Sequence, residues 1–203
     1  MRASTLEKHI RDPIYGFITI PPSLIPFLDH KLVQRLRWVS QLPLEQLVYP
    51  SAMHSRFEHS IGAMHLAMFA AKNIIRNSEI QFKDICDNDD LLKEIKDDEK
   101  RKQIFILAAG LLALMHDIGH APFSHTFEDV FRYREINNSH ENKIKYSHEI
   151  ISYELAEKIF ANISNGKELF VELARVSLEL IASSKKEYLE DHDFTSDFPA
   201  SHL

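Results

Sequence analysis

Gln103-Ile104-Phe105-Ile106-Leu107-Ala108-Ala109-Gly110-Leu111-Leu112-Ala113-Leu114-Met115-His116-Asp117-Ile118-Gly119-His120-Ala121-Pro122 is the stretch from which the fold can be read. From Gln103 to Met115 the side chains are apolar almost all round, the pattern of a central buried helix. Its apolar run, Ile104 to Met115, has 12 residues, too few to span a bilayer. Gly119 and Pro122 end the helix. His116 and Asp117 therefore sit where the most buried helix breaks, and two polar side chains beside a core need partners. A shared cation is one way to satisfy both. The dipeptide alone carries little weight, because roughly one His-Asp pair is expected by chance in a chain of this composition. The second pair, His192-Asp193, lies in a polar tail and needs no explanation.

Upstream, the chain from about Phe57 to Asn77 is rich in Ala, Met and Ile and predicts a second long helix, after a Pro43- and Pro50-containing loop over 41–55. Leu28, Leu32, Val33, Leu36 and Val39 recur at three and four, predicting one amphipathic helix from Ile25 to Ser40. Asp12 to Pro22 alternates between Pro and Gly punctuation and reads as a short hairpin or paired extended element. The acidic, lysine-rich span 81–101 reads as a solvated helical excursion or surface loop. Downstream, helices are expected at about 123–133, 148–162 (with Ser147 as N-cap) and 168–184. The result is an all-α fold with a small N-terminal extended element, one domain over 1–186, and an acidic tail or continuation over 187–203.

With 203 residues the chain can bury a core without covalent staples. Cys86 is the only cysteine, so neither an intramolecular disulfide nor a thiolate cluster can form; an intracellular, cytoplasmic protein is expected. Met1 to Ile10 lacks the apolar core of a secretory signal. The net charge of −6 is unevenly placed, +2 over 1–60 and −5 beyond Lys186. General affinity for nucleic acid or membranes is not predicted.

A third donor beside His116 and Asp117 would come from a neighbouring helix, and His59, near the start of the Phe57 helix, is the natural supplier. Imidazole and carboxylate without sulfur suit one divalent ion of Mn, Fe, Zn, Co or Ni, with Mg also compatible, better than Cu(I) or an iron–sulfur cluster. The plainer reading of His116-Asp117 is a helix C-terminal cap with its imidazole near the dipole. His54 reads as a loop residue, His65 as a polar helix position, and Glu58 as a first-turn carboxylate meeting the macrodipole. Trp38 needs nothing beyond packing.

Two long blocks point further. Tyr49 to Gly62, through Arg56-Phe57-Glu58-His59-Ser60-Ile61-Gly62, resembles the R-F-x-H-S-x-G block of HD phosphohydrolases. Leu114 to His125 resembles their H-D-[IL]-G-H-x-P-F-x-H block. Asp12-Pro13-Ile14-Tyr15-Gly16 and the stretch from Gln34-Arg35-Leu36-Arg37 to Gln41-Leu42 are similar to the deoxynucleoside triphosphate triphosphohydrolase branch, the SAMHD1-like and bacterial dGTPase-like proteins. The resemblance covers residues 11–155. It implies an HD-domain helical fold, metal ligation by His59, His116 and Asp117, and Arg56 near the substrate phosphates. His120 and His125 would face those phosphates, with Glu128 sharing a proton with His125, a pair three apart on one helical face. His148, beside Glu149, matches a further active-site histidine. Gln41 and Leu42 match positions that touch the nucleoside. Arg35 and Arg37 match contacts to a regulatory nucleotide, a surface ion pair being the other reading of both. The implied chemistry is attack of metal-activated water, or of water oriented by His125, on the α-phosphorus, with positive charge from Arg56, His120 and the metal meeting the developing negative charge.

One part of the family pattern is missing. A fourth metal ligand, an Asp on a later helix, has no counterpart after Glu149, where Asp191, Asp193 and Asp197 are the only aspartates and lie in the tail. The expectation is that the chain is a piece of a longer protein, the alternative being an incomplete site. Two other functions follow from that gap and from the breadth of the superfamily: a degenerate domain acting as a nucleotide-binding or regulatory subunit, and an HD nucleotidase or phosphodiesterase. The branch also implies a homo-oligomer as a partner arrangement.

Overall fold

A computed structural model describes residues 7–137 and 148–163. Helix α6 (Asp98–Met115) is its centre. Asp97 caps it, the carboxylate accepting from the backbone N–H groups of Glu99 and Lys100. Ile104, Leu107, Ala108, Leu111, Leu114 and Met115 are buried along it. Helix α3 (Arg56–Asn77) packs along α6 as the most extensive helix pair of the domain. A capping box sets the start of α3: Ser55 Oγ accepts from the Glu58 N–H, and Glu58 accepts from the Ser55 N–H. The first-turn role expected for Glu58 is met by this cap, which fixes where His59 begins its turn.

Before α3, strands β1 (Lys8–Asp12) and β2 (Gly16–Ile20) form an antiparallel hairpin, with Ile18 and Ile20 facing the core. It starts four residues earlier than expected because Asp12 is not the first strand residue but the turn-former: its carboxylate accepts from the Ile14 and Tyr15 N–H groups. The single helix expected over Ile25–Ser40 is three pieces: α1 (Ile25–Leu28), α2 (Lys31–Gln34) and a 3₁₀ turn (Arg35–Trp38). Pro26 opens α1, and His30, in an extended conformation, caps α2 by accepting from the Leu32 N–H. The apolar spacing survives the breaks, since Leu28, Val33, Leu36 and Val39 are all buried. Trp38 is not packed as expected; it is 87% exposed, turned outward by the tighter 3₁₀ rotation.

The acidic span is also more than a solvated face. Helices α4 (Glu79–Asn88) and α5 (Asp90–Glu94) bury Phe82, Cys86 and Leu92 in the core, as does Ile95 just after α5, while Glu79, Asp84, Asp87 and Glu94 are exposed. After α6 come α7 (Ser124–Asn137) and α8 (His148–Ile163). The latter buries Ile151, Ala156, Ile159 and Phe160, and Phe160 meets Phe27 edge-on with ring centroids 5.5 Å apart. The architecture is all-α with one small hairpin, as the sequence predicts. No helix among the described residues is long and apolar enough to cross a membrane. Ser147, the 168–184 helix, His192-Asp193 and the 187–203 tail lie outside the described residues.

Two glycines make close crossings. A Cβ on Gly110 would lie 2.5 Å from Met68 Cγ and 2.9 Å from its sulfur, at the α3–α6 contact. A Cβ on Gly119 would lie 2.3 Å from the His148 carbonyl oxygen and 2.6 Å from the Ser152 nitrogen, at the contact with α8. Methionine can move aside, whereas backbone cannot. We therefore expect Gly110→Ala to cost less than about 1 kcal/mol, since better helix propensity offsets the crowding. Gly119→Ala should cost about 2–3 kcal/mol or more, and should expose α8 to proteolysis. Urea unfolding of both variants checks the order; equal losses would contradict it.

Candidate metal centre

His59 stands one turn into α3, and His116 and Asp117 follow α6 directly. His59 Nε2 lies 3.3 Å from His116 Nε2 and 3.7 Å from Asp117 Oδ2, and His116 Nε2 lies 3.2 Å from Asp117 Oδ1. Donors about 2.0–2.2 Å from one ion in tetrahedral or octahedral array stand about 3.0–3.4 Å apart; both His116 separations fall in that range and the His59–Asp117 separation lies just beyond it, so the three side chains are near the spacing of a shared coordination sphere. The tautomer agrees. His116 Nδ1 is 2.7 Å from the Ala113 carbonyl oxygen, which can only accept, so the proton is on Nδ1 and Nε2 keeps its lone pair. The helix-cap reading of His116 and the ligand reading are thus two ends of one ring. Burial, ahead of the opposing pull of Asp117, lowers the pKa of His59 and favours the neutral, ligating imidazole. Both imidazoles are exposed while Asp117 is buried beneath them, so the site opens outward on its histidine side. Among the described residues this set offers three donors.

Asp117 is held from below. Arg56, itself 3% exposed, donates from one terminal nitrogen to Asp117 Oδ2 at 2.5 Å and from Nε to Ser124 Oγ at 3.0 Å. Burial works against the carboxylate, but His116, Arg56 and the Arg56 hydrogen bond hold its pKa below the usual range. Arg56, expected at the substrate phosphates, is here the partner of a metal-ligand candidate. Ser124 reaches Arg56 from a strained turn, since Phe123 and Ser124 have φ of 68° and 49°. His120 is 1% exposed, its Nε2 3.6 Å from Asp117 Oδ1 and its Nδ1 without a partner. Burial, then His148 and Arg56, push its pKa down to about 3. The ring of His120 is therefore neutral near pH 7, because desolvation outweighs the neighbouring carboxylates.

A second constellation adjoins the first. Glu128, on α7 and 3% exposed, lies 3.1 Å from His125 Nδ1 through Oε2. Through Oε1 it accepts from His148 Nδ1 at 2.6 Å and from the His148 N–H at 3.1 Å. Burial opposes its ionisation, but the hydrogen bond from His125 and the charge and hydrogen bonds of His148 keep its pKa low. One carboxylate thus fixes two imidazoles, each with Nδ1–H toward Glu128 and Nε2 away. The His148 ring stacks on His120 at 3.8 Å between centroids, and its Nε2 is 3.3 Å from Glu149. The pairing of His125 with Glu128 was readable from their spacing of three; the link to His148, twenty residues on, had no sequence signal.

The remaining candidates divide. Gln41 is half-buried, and its Oε1 is shielded from water without a partner, while Leu42 is 42% exposed beside it. Arg37 donates to Gln34 Oε1 at 2.8 Å and lies 3.6 Å over the Phe57 ring. Arg35 turns inward instead, donating to the carbonyls of Ile118 and His120 at 2.7 and 2.9 Å. His54 lies in the loop before α3 and His65 against Tyr15, as their plainer readings have it.

Comparison with known proteins adds an independent line. The HD domain model matches residues 56–192. The deoxynucleoside triphosphate triphosphohydrolase SAMHD1 homolog of Dictyostelium discoideum is 41% identical over 122 residues, 60% of this chain and 20% of its own length. SAMHD1 of Gallus gallus is 32% identical over 178 residues, 88% of this chain and 25% of its own. An uncharacterised protein of Methanocaldococcus jannaschii is 31% identical over 172 residues, 85% of this chain and 29% of its own. The chain thus spans a fifth to under a third of the length of these relatives. The matched span holds His59, the His116-Asp117 turn and the Glu128 pair together, and the chain belongs to the HD-domain family.

Proposed function

We propose that this domain hydrolyses deoxynucleoside triphosphates at the α-phosphorus, using one divalent cation held by His59, His116 and Asp117. The observation that carries the reading is the adjacency of two sites: a three-donor set with metal-ligand spacing, and a carboxylate-fixed histidine pair linked to it through His120. The similarity to triphosphohydrolases over most of this chain supports the substrate class. When bound, the cation supplies Lewis acidity toward water and a phosphoryl oxygen.

In the reaction, the oxygen of water bonds to the α-phosphorus and the bond from phosphorus to O5′ breaks. One water proton ends on O5′, giving deoxynucleoside and triphosphate. His125 suits the proton transfer: its side chain is 67% exposed, and Glu128 holds its Nδ1–H so that Nε2 faces outward. Glu128, shared with His148, stabilises the imidazolium when His125 carries the extra proton. Arg56 keeps Asp117 ionised and aimed, so its charge reaches the phosphates through the ligand it supports. Gln41, with its unpartnered carbonyl oxygen, and Leu42 are suited to the nucleoside. Arg37 remains the better placed of the two arginines for a regulatory nucleotide.

With Mn²⁺ and a panel of dNTPs, the purified chain should release triphosphate, seen by phosphorus NMR; bound Mn²⁺ with no triphosphate from any dNTP would remove the reading. His59→Ala and Asp117→Ala should each weaken Mn²⁺ binding by more than about 100-fold. Glu128→Gln should leave Mn²⁺ affinity intact and lower kcat by about 10²–10⁴. The same variant tests the electrostatics. Because the Glu128 pKa is depressed from its ordinary 4.5, its contribution to stability is present above that value and lost as pH falls through the lower folded-state value. Urea midpoints against pH should fall less steeply on the acid side in Glu128→Gln; an unchanged profile would contradict the assignment.

A further inference from the structure

We infer that Arg35 is a positioning residue of the metal centre, fixing the backbone of the His116–His120 turn relative to the helix that carries His59. The inference rests on the metal-centre reading above and adds a residue that touches neither the ion nor the substrate.

The turn has a polar accounting to settle. Beyond Met115, the Ile118 N–H bonds back to the Met115 carbonyl at 3.2 Å and the His120 N–H to that of Asp117 at 3.1 Å. Ile118 and His120 are themselves buried, at 0% and 1% exposure, so their carbonyls cannot rely on water. One terminal nitrogen of Arg35 donates to both, across more than 80 residues of sequence. The carbonyl end of α6 is also the negative end of its dipole, where a guanidinium is favourable. From the other side, the Gly119 N–H donates to Ser152 Oγ at 2.8 Å. The peptide planes that follow Asp117 are therefore gripped from two directions.

What Arg35 is anchored to matters equally. Its 3₁₀ turn is tied to the start of α3: the Arg56 N–H donates to the Val39 carbonyl at 2.8 Å, Arg37 covers the Phe57 ring, and Ser40 bridges to Ser55. This block carries His59 three residues after Arg56. Arg35 thus runs from the block that places one imidazole to the turn that places the other imidazole and the carboxylate. Arg56 joins the same two parts through the Asp117 side chain; Arg35 joins them through the main chain. Loss of the second tie lets the turn rotate and spoils a donor spacing defined to a few tenths of an ångström.

The test compares wild type, Arg35→Met and Arg35→Lys. Mn²⁺ affinity is read by electron paramagnetic resonance, kcat and KM at saturating Mn²⁺, and folding by circular dichroism and urea unfolding. Arg35→Met should bind Mn²⁺ about 10- to 100-fold more weakly and lower kcat with KM unchanged, while still unfolding cooperatively. Arg35→Lys, whose ammonium can donate to the same carbonyls without the planar fork, should lose only severalfold, and it decides the matter should Arg35→Met not fold. Folded variants that bind Mn²⁺ as tightly as wild type overturn the inference, whether stability or nucleotide dependence shifts instead. A wild-type chain that binds no Mn²⁺ removes the metal-centre reading itself, and this inference with it.

Discussion

A carboxylate that is 4% exposed, as Asp117 is, must be matched by positive charge or it would take up a proton. Arg56 supplies that charge from the first turn of α3, and the pair joins the start of one core helix to the end of the other. Other features of the site follow from this contact. It brings His59 near His116, while Ser124 accepts from Nε of the same guanidinium. Breaking it by removing one partner would strand a buried charge, at a cost of about 3–5 kcal/mol, more than most single side chains contribute.

The architecture around that contact is organised to make two helix ends meet. The capping box fixes where α3 begins, and the break after Met115 fixes where α6 ends. Gly110 lets the two helices approach along their length, while Gly119 lets α8 bring His148 against the turn. The second histidine cluster then follows from α7 and α8 sharing Glu128. Desolvation acts oppositely on its neighbours: it keeps His120 neutral in the interior, whereas Glu128, with two imidazole donors, stays ionised although buried. A neutral ring between two carboxylate-centred clusters separates their charges without interrupting packing.

The long helices were legible because their signals are local and redundant. An all-apolar run closed by Gly119 and Pro122 admits few other readings. The juxtaposition of His59 with His116 and Asp117 was legible for the same reason, since the pair follows one helix end and His59 lies in the first turn of a second helix. What sequence did not carry were contacts whose partners are distant. Arg35 reads as a contact to a regulatory nucleotide or as half of a surface ion pair until its guanidinium is seen to meet two carbonyls of the turn. His148 gives no hint that it shares a carboxylate with His125. Pro26 and His30 break the Ile25–Ser40 segment, yet the apolar period continues through the breaks, so periodicity alone merged three pieces into one helix. In the acidic span, charge density masked Phe82, Cys86, Leu92 and Ile95, whose burial was decided by packing against α3 and α6.

The central claim is that two imidazoles and one carboxylate from separate helices share an ion. X-ray absorption at the metal edge of the zinc-loaded protein tests it most directly. The account predicts nitrogen and oxygen donors at about 2.0–2.2 Å with the multiple-scattering signature of two imidazoles, reduced to one in His59→Ala. A shell of oxygen alone, or one that His59→Ala leaves unchanged, would contradict it.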